Sequence, residues 1–182
     1  MITPQARLDL DRCNRLGLVE AVWGEHKTCA QISDILLSLE NANELALVTR
    51  VDPDKAKQLI KTFKTAKFHK EARCLTVGEP RSTDASLGEV AILSGGTSDL
   101  DVAAEAELAL RWHGVKTRLV LDVGVAGLHR LLSQLEGLAK AKVLIACAGM
   151  EGALPTVLAG LIPQPVIGVP VSVGYGVSAK GK

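Results

Sequence analysis

The sequence predicts an α/β protein in which a parallel sheet carries helices on both faces and a small α+β unit precedes the sheet. In the second part of the chain, apolar runs that end in glycine alternate with helical segments. This alternation is typical of parallel strands joined by crossover helices. The glycines are also unequally divided, with two in residues 1–73 and fifteen in residues 74–182. The chain therefore divides into two regions of different construction.

Length, composition and charge limit the function classes. The 182 residues are 47% hydrophobic, which is enough for a full core, and the formal net charge is +1. A nucleic-acid-binding protein normally carries a basic excess, so we expect no nucleic-acid partner. No apolar run reaches about 18 uncharged residues, and the first residues carry charges where a signal peptide has its apolar stretch. We therefore expect a cytoplasmic protein with no membrane partner.

The cysteines are widely separated and form no CxxC pair. They are Cys13, Cys29, Cys74 and Cys147. This spacing predicts neither a disulfide framework nor a zinc site. Cys147 lies within an apolar run and is predicted to belong to the core.

Residues 1–82 are predicted to form the small α+β unit. The predicted elements are helices at 28–40 and 53–65 and strands at 44–50 and 72–77. Thr28 provides a cap for the first helix, and a proline directly after Asp52 begins the second. The lysines of the second helix fit a solvated face, with phosphate binding as the alternative. Pro, Ser, Thr, Asp and Gly cluster in residues 80–88, which predicts a linker.

Residues 83–182 are predicted to form the parallel-sheet domain. The predicted strands are 89–96, 116–124, 141–149 and 165–171, and the predicted helices are 98–114, 128–138 and 151–161. Ser98 stands at the predicted cap position of the first of these helices. Each strand–helix–strand connection should be right-handed. The result is a flavodoxin-like three-layer arrangement.

Four glycine-containing turns follow the carboxyl ends of the predicted strands, where ligands bind in sheets of this kind. They are residues 94–99, 122–130, 148–152 and 170–176. Glycines let the backbone approach a ligand closely, and helix amino termini favour anions. The first turn matches neither the dinucleotide GxGxxG pattern nor the P-loop. The turns together predict a site for a small molecule that carries phosphate or carboxylate groups.

Several side chains in these turns could have either a structural or a functional role. Ser98 and Asp99 could bind a ligand or only cap the following helix. His129 could transfer protons beside an anion-binding arginine, or serve only in the structure. The same alternatives apply to two carboxylates, Asp122 at a strand end and Glu151 in a first helical turn.

Taken together, these segments resemble the LarB family, the carboxylases of nickel-pincer cofactor biosynthesis in lactate racemase maturation. The segments are SGGTSDLDVAAEAE, DVGVAGLHRLL, AGMEGALPTVLAGL and PVIGVPVSVGYG. The opening DLDRCNRLGLVEAVWGEHKTCAQI, followed by LVTRV, is similar to that family's first segment. A more distant resemblance is to aminoimidazole ribonucleotide carboxylase. Its Gly-Ser-x-Ser-Asp, Ala-His-Arg and PVIGVPV patterns are similar to residues 95–99, 128–130 and 165–171.

The resemblance implies a reaction on nicotinic acid adenine dinucleotide. LarB-type proteins add a carboxyl group from CO2 to the pyridinium ring and hydrolyse the phosphoanhydride. The products are pyridinium-3,5-biscarboxylic acid mononucleotide and AMP. The resemblance also implies Mg2+ for the hydrolysis and, through the purine enzyme, a homo-octamer.

The resemblance assigns roles to residues in the four turns. Arg130 would pair with phosphate, and His129 would assist proton transfer with Asp122 in the same turn. Glu151 would take the ring proton or orient the substrate. The other residues expected to contact the substrate are Gly95, Gly96, Thr97, Ser98, Asp99, Gly124, Gly149, Met150, Gly152, Ser172, Gly174 and Tyr175.

The sequence departs from the family in its cysteines. The family's nucleophilic cysteine lies beyond the GYG turn in a later helix, and none of the four cysteines matches that position. The family's last strand and helix are also absent from the 182 residues. We therefore expect an incomplete sequence that cannot form the covalent adduct by itself. The alternatives are a purine ribonucleotide carboxylase or mutase, and a non-catalytic nucleotide-binding remnant.

Overall fold

The computed structural model describes residues 7–149 and 152–172. The chain divides into two compact units, Met1–Arg81 and Ser82–Lys182. In the part of the chain that the structure describes, no helix is both long and apolar enough to span a membrane.

The first unit is built on a mixed sheet. Its helices are α1 (Arg12–Leu16), α2 (Cys29–Asn41) and α3 (Pro53–Thr62), and its strands are β1 (Ala21–Trp23), β2 (Ala46–Thr49), β3 (Ala66–His69) and β4 (Cys74–Val77). The strand order is β1-β2-β4-β3. Strand β1 runs parallel to β2, whereas β4 is antiparallel to both β2 and β3.

Side-chain caps begin the two longer helices of this unit. The Thr28 hydroxyl accepts a hydrogen bond from the Gln31 N–H, and the Gln31 side chain accepts one from the Thr28 N–H, which together form a capping box. The Asp52 carboxylate accepts the N–H groups of Asp54 and Lys55 at the start of α3. Both predicted helices are therefore present.

The second unit is built on a parallel sheet. Its strands are β5 (Glu89–Ser94), β6 (Lys116–Val120), β7 (Val143–Ala148) and β8 (Val166–Pro170), and its helices are α4 (Leu100–Trp112), α5 (Leu128–Leu132), α6 (Leu135–Leu138) and α7 (Ala153–Leu161). The strand order is β6-β5-β7-β8, and every neighbouring pair is parallel. All four strands therefore end at the same edge of the sheet.

Apolar side chains alternate between the two faces of the parallel sheet. Ile92 and Cys147 pack with Ala103 of α4 on one face. On the other face, Leu93 and Leu144 pack in a cluster with the residues of the three later helices, which are Leu131, Leu138, Leu154 and Leu158. Helices thus cover the sheet from both sides, and the predicted flavodoxin-like three-layer fold is confirmed.

A cluster of charged side chains lies at the amino-terminal edge of this sheet. The Glu89 carboxylate, at the start of β5, lies 3.0 Å from both Lys116 Nζ and Arg118 Nε of β6. A hydrogen bond from Lys116 is the largest of the effects that lower the pKa of Glu89. This cluster fastens β5 to β6 at the end opposite the glycine turns.

Two local predictions in this unit are wrong. The predicted helix 128–138 is two short helices, α5 and α6, and in the break between them the Ser133 hydroxyl donates to the Arg130 carbonyl. Ser98 is not the cap of α4, because a 3-10 turn over Thr97–Asp99 precedes that helix. Asp99 stands at the capping position of α4, but its carboxylate makes no cap hydrogen bond to that helix and instead accepts the Gly96 N–H of the preceding turn.

The short elements of the first unit were not predicted. Strands β1 and β3 and helix α1 contain three, four and five residues. Both strands lie at the edges of their sheet, where a brief pattern of apolar residues is too short to show a period.

Candidate active site at the carboxyl edge of the parallel sheet

Backbone hydrogen bonds continue past the strand ladder where the parallel strands end. The Gly95 N–H donates to the Cys147 carbonyl at 3.0 Å, which joins the turn after β5 to the end of β7. The Val171 N–H donates to the Ala148 carbonyl at 3.1 Å, which joins the turn after β8 to β7. These turns therefore leave the sheet side by side.

The turn after β6 is fastened to the end of β5 by Ser94. This serine is only 1% exposed, its carbonyl accepts the Val123 N–H at 3.0 Å, and its hydroxyl accepts the Asp122 N–H at 3.1 Å. The backbone of Gly124 then passes so close to β5 that a Cβ atom there would lie 2.5 Å from the Gly95 carbonyl oxygen. This position accepts only glycine without a backbone shift.

The turn after β5 contains a buried carboxylate. Asp99 is 4% exposed and accepts the Gly96 N–H at 2.8 Å. Burial raises the pKa of Asp99. Hydrogen bonds from the backbone of Gly96 and Gly95 and from the Ser98 side chain lower it, but their effect is smaller. Thr97 and Ser98 are exposed, whereas the Asp99 carboxylate lies beneath the turn that it braces.

The turn after β6 brings Asp122 and Arg130 into contact. Asp122 has a positive φ of 57°, and its carboxylate forms an ion pair with the Arg130 guanidinium. The two side chains are 51% and 39% exposed, so the pair lies at the surface of this edge. His129 is exposed on the short helix α5.

The other two turns are only partly described. Gly149 is buried just after β7, Gly152 is the cap that precedes α7 and has a φ of 60°, and Ser172 is exposed after β8. Four other residues predicted to lie at the site are outside the described residues. They are Met150, Glu151, Gly174 and Tyr175. The catalytic role of Glu151 therefore stays a prediction.

Comparison with known proteins identifies both units. Residues 2–79 match the LarB/PurE-like N-terminal domain, and residues 89–179 match the AIR carboxylase domain. The uncharacterized protein MJ0165 of Methanocaldococcus jannaschii is 38% identical over 183 residues, which cover 97% of this chain and 72% of that protein. The chain belongs to the LarB-like family related to AIR carboxylase.

A second relative is similar to a part of this chain. The N5-carboxyaminoimidazole ribonucleotide mutase of Methanocaldococcus jannaschii is 40% identical over 85 residues, which are 45% of this chain and 52% of that protein. The chain thus spans about half the length of this relative. Together with the two domain matches, this relation supports a carboxylase-family role for the LarB-like chain.

The cysteines of this LarB-like chain differ in their surroundings. Cys147 is fully buried, and burial, with a smaller contribution from the charge of Asp99, raises its pKa to about 11. Cys74 is also fully buried, and its thiol donates to the Ala72 carbonyl. Cys147 therefore belongs to the core, as its apolar neighbours indicate, and is almost entirely protonated at neutral pH.

One contributor to this edge was missed in the sequence. Ser94 ends the apolar strand EVAILS, and its hydroxyl and carbonyl both hold the next turn. A hydroxyl residue at the end of an otherwise apolar strand was the available signal, but its partner, Asp122, lies far away in sequence. Only the parallel pairing of β5 with β6 brings the two together.

We predict that Gly124→Ala destabilises the second unit by about 1–3 kcal/mol, because the added methyl group meets the Gly95 backbone. Urea unfolding followed by the fluorescence of the buried Trp112, in a Trp23→Phe background, measures this change. Gly160→Ala in α7 is the matched control. Its Cβ would meet nothing within 4 Å, so we expect stabilisation of about 0.5–1 kcal/mol. Equal effects of the two substitutions would contradict the close approach.

We predict that Asp99 makes the second unit less stable as the pH rises. Because the folded-state pKa is raised above the ordinary value of 3.8, the folded chain holds this proton more tightly than the unfolded chain. The stabilisation is complete below pH 3.8 and is lost as the pH rises through the folded-state pKa. Asp99→Asn should remove this dependence, which unfolding curves of both proteins from pH 3 to pH 7 would measure. If the free energies of unfolding of the two proteins changed with pH in the same way across that range, the pKa of Asp99 would not be raised.

We predict that Cys147 in the folded chain resists alkylation. A pKa of about 11 instead of 9.0 lowers its thiolate fraction about a hundredfold at neutral pH, and burial excludes the reagent as well. Iodoacetamide labelling at pH 8, followed by peptide mass spectrometry, should show labelling of Cys147 only after unfolding in urea. The partly exposed Cys29 is the internal control and should react in the folded chain. Rapid labelling of native Cys147 would exclude its burial.

Proposed function

We propose that this LarB-like protein carboxylates the pyridinium ring of nicotinic acid adenine dinucleotide with CO2 and hydrolyses the phosphoanhydride. The products would be pyridinium-3,5-biscarboxylic acid mononucleotide and AMP, in nickel-pincer cofactor biosynthesis. The observation that carries the proposal is the convergence of the DVGVAGLHR turn with the SGGTSD turn at one edge of a parallel sheet. Both segments resemble the LarB family, and both domain matches support that relation.

The chemistry requires a nucleophile, because a pyridinium ring is electron-poor and does not attack CO2. A thiolate adds to a ring carbon and gives an electron-rich dihydropyridine, whose nucleophilic carbon forms the new bond to CO2. The proton on that carbon leaves to a base, and expulsion of the thiolate restores the aromatic ring. The net change replaces one ring hydrogen by a carboxylate and releases one proton.

In this proposal the described turns bind and orient the substrate. Arg130 pairs with a phosphate group, because a guanidinium fork matches phosphate oxygens. His129, exposed on the same short helix, assists proton transfer, and the glycines after β5 let the ribose phosphate approach the backbone. Glu151 is proposed as the base that takes the ring proton.

The thiolate is proposed to come from a cysteine other than the four in this sequence. Cys147, the cysteine of the parallel-sheet unit, is buried and protonated at neutral pH. Cys13, Cys29 and Cys74 belong to the first unit.

Mg2+ is proposed only as a counter-ion of the substrate's phosphates. Among residues 7–149 and 152–172, no group of three or more His, Cys, Asp or Glu side chains could hold a metal ion. The Asp122 carboxylate is paired with Arg130, and that of Asp99 is buried. The described residues do not fit a resident metal site, so no step is assigned to the metal.

Assembly and location remain proposals that follow the family resemblance. We propose a cytoplasmic homo-octamer, with no nucleic-acid or membrane partner. The apolar Ile167 of the edge strand β8 is 52% exposed, which is consistent with a face that a neighbouring subunit covers.

The reaction is tested with the protein expressed from its natural gene, incubated with nicotinic acid adenine dinucleotide, 13C-labelled bicarbonate and Mg2+. We expect the labelled biscarboxylate mononucleotide and AMP in equal amounts by mass spectrometry. The 182-residue chain in the same mixture should form no thioether adduct on its four cysteines. Absence of both products would refute the proposed reaction, and an adduct on any of these four cysteines would refute the proposal that the thiolate comes from another cysteine.

The second candidate, a purine ribonucleotide carboxylase or mutase, is favoured by the mutase relative. Aminoimidazole ribonucleotide and N5-carboxyaminoimidazole ribonucleotide, each offered to the natural protein, distinguish the two activities. Their conversion to 4-carboxyaminoimidazole ribonucleotide would establish the purine reaction. Binding of nucleotides without turnover in any of these assays would identify a non-catalytic nucleotide-binding protein.

A further inference from the structure

The carboxylate of Asp122 is held in place by the backbone beneath it. Asp122 has a positive φ of 57°, a conformation that non-glycine residues adopt rarely. Its N–H donates to the Ser94 hydroxyl, and the next residue, Val123, donates to the Ser94 carbonyl. Because Ser94 is buried at the end of a central strand, the position of Asp122 is set by the sheet and not by the exposed turn.

The guanidinium of Arg130 is held by two features of this turn. Its Nη1 atom donates to Asp122 Oδ2. The rest of the group lies across Gly127, where a Cβ atom would be 2.5 Å from Nε and 2.8 Å from Nη2. Glycine at position 127 leaves the space that the guanidinium occupies, and Asp122 fixes its far end. The donors on Nε and Nη2 are not engaged by Asp122.

We propose that Asp122 is a positioning residue that holds Arg130 in place for a phosphoryl group of the ligand. This inference rests on the proposed function, which assigns Arg130 to a substrate phosphate, and it gives Asp122 a role other than proton transfer. A guanidinium that is already fixed loses less freedom when it binds an anion. The pair thus makes an exposed arginine into an ordered anion-binding group.

The same arrangement makes the effect of Asp122 depend on Arg130. With the arginine present, Asp122 orders the guanidinium, and its own charge is compensated and screened because both side chains are well exposed. Without the arginine, an uncompensated carboxylate faces the incoming phosphate and repels it. Removing Asp122 should therefore weaken phosphate binding in the first case and strengthen it in the second.

A double-mutant cycle on the full 182-residue chain tests this dependence, with nicotinic acid mononucleotide as the probe and calorimetry as the readout. Asp122→Ala should weaken binding about three- to tenfold, the scale for immobilising one long side chain. Arg130→Ala should weaken it about ten- to a hundredfold, as for loss of a charged hydrogen bond. The double variant should bind more tightly than Arg130→Ala alone.

Nicotinic acid riboside, which lacks the phosphate, separates positioning from a general structural role. Its affinity should be the same in all four proteins, because the pair is proposed to meet only the phosphate. Thermal unfolding verifies that each variant is folded. Two control variants match the charge changes: Lys116→Ala at the opposite edge of the sheet removes a positive charge, and Glu136→Gln on α6 removes a negative one. Neither should alter the affinity for the mononucleotide or for the riboside.

Three results would overturn the proposal. They are unchanged or tighter mononucleotide binding by Asp122→Ala, a double variant no better than Arg130→Ala, and a wild-type chain that does not prefer the mononucleotide to the riboside. The binding assay needs no turnover, so its outcome is distinguishable from that of the carboxylation assay. A chain that shows the expected cycle while the natural protein fails to carboxylate would refute the proposed reaction alone.

Discussion

The candidate site depends on the close approach of two backbone segments, the turns that follow β5 and β6. Gly124 lies against the Gly95 carbonyl with no room for a side chain, and Ser94 holds the adjoining residues through its hydroxyl and its carbonyl. This contact places Asp122, and through it Arg130, beside the turn that contains Asp99. Without it, the two turns would separate and their side chains could not act on one ligand.

Both aspartates of this edge have partners within the protein itself. Asp99 braces its own turn from below, where burial raises its pKa. Asp122 pairs with Arg130, which follows it in the turn after β6. Carboxylates next to an anion-binding site would ordinarily weaken it, but one is screened beneath the backbone and the other is compensated by a cation. Anion binding at this edge is therefore compatible with two acidic residues in its turns.

The parallel sheet could be predicted from the sequence because apolar runs, most of them followed closely by glycine, alternate with helical segments. The break between α5 and α6 could not be predicted, since Ser133 competes for a helix carbonyl only once that turn is folded. The four turns could be located because glycines cluster after the predicted strands. The bracing by Asp99 and the contact of Asp122 with Ser94 could not be predicted, because they depend on distances between chain segments.

The parallel sheet has a second, chemically separate end. Glu89 joins Lys116 and Arg118 there, a full strand length from the glycine turns. Each end is maintained by its own charged pairs, so one can be altered without disturbing the other. A cysteine introduced at residue 116 would thus place a fluorescent label at the edge of the sheet opposite the glycine turns, where it suits single-molecule measurement.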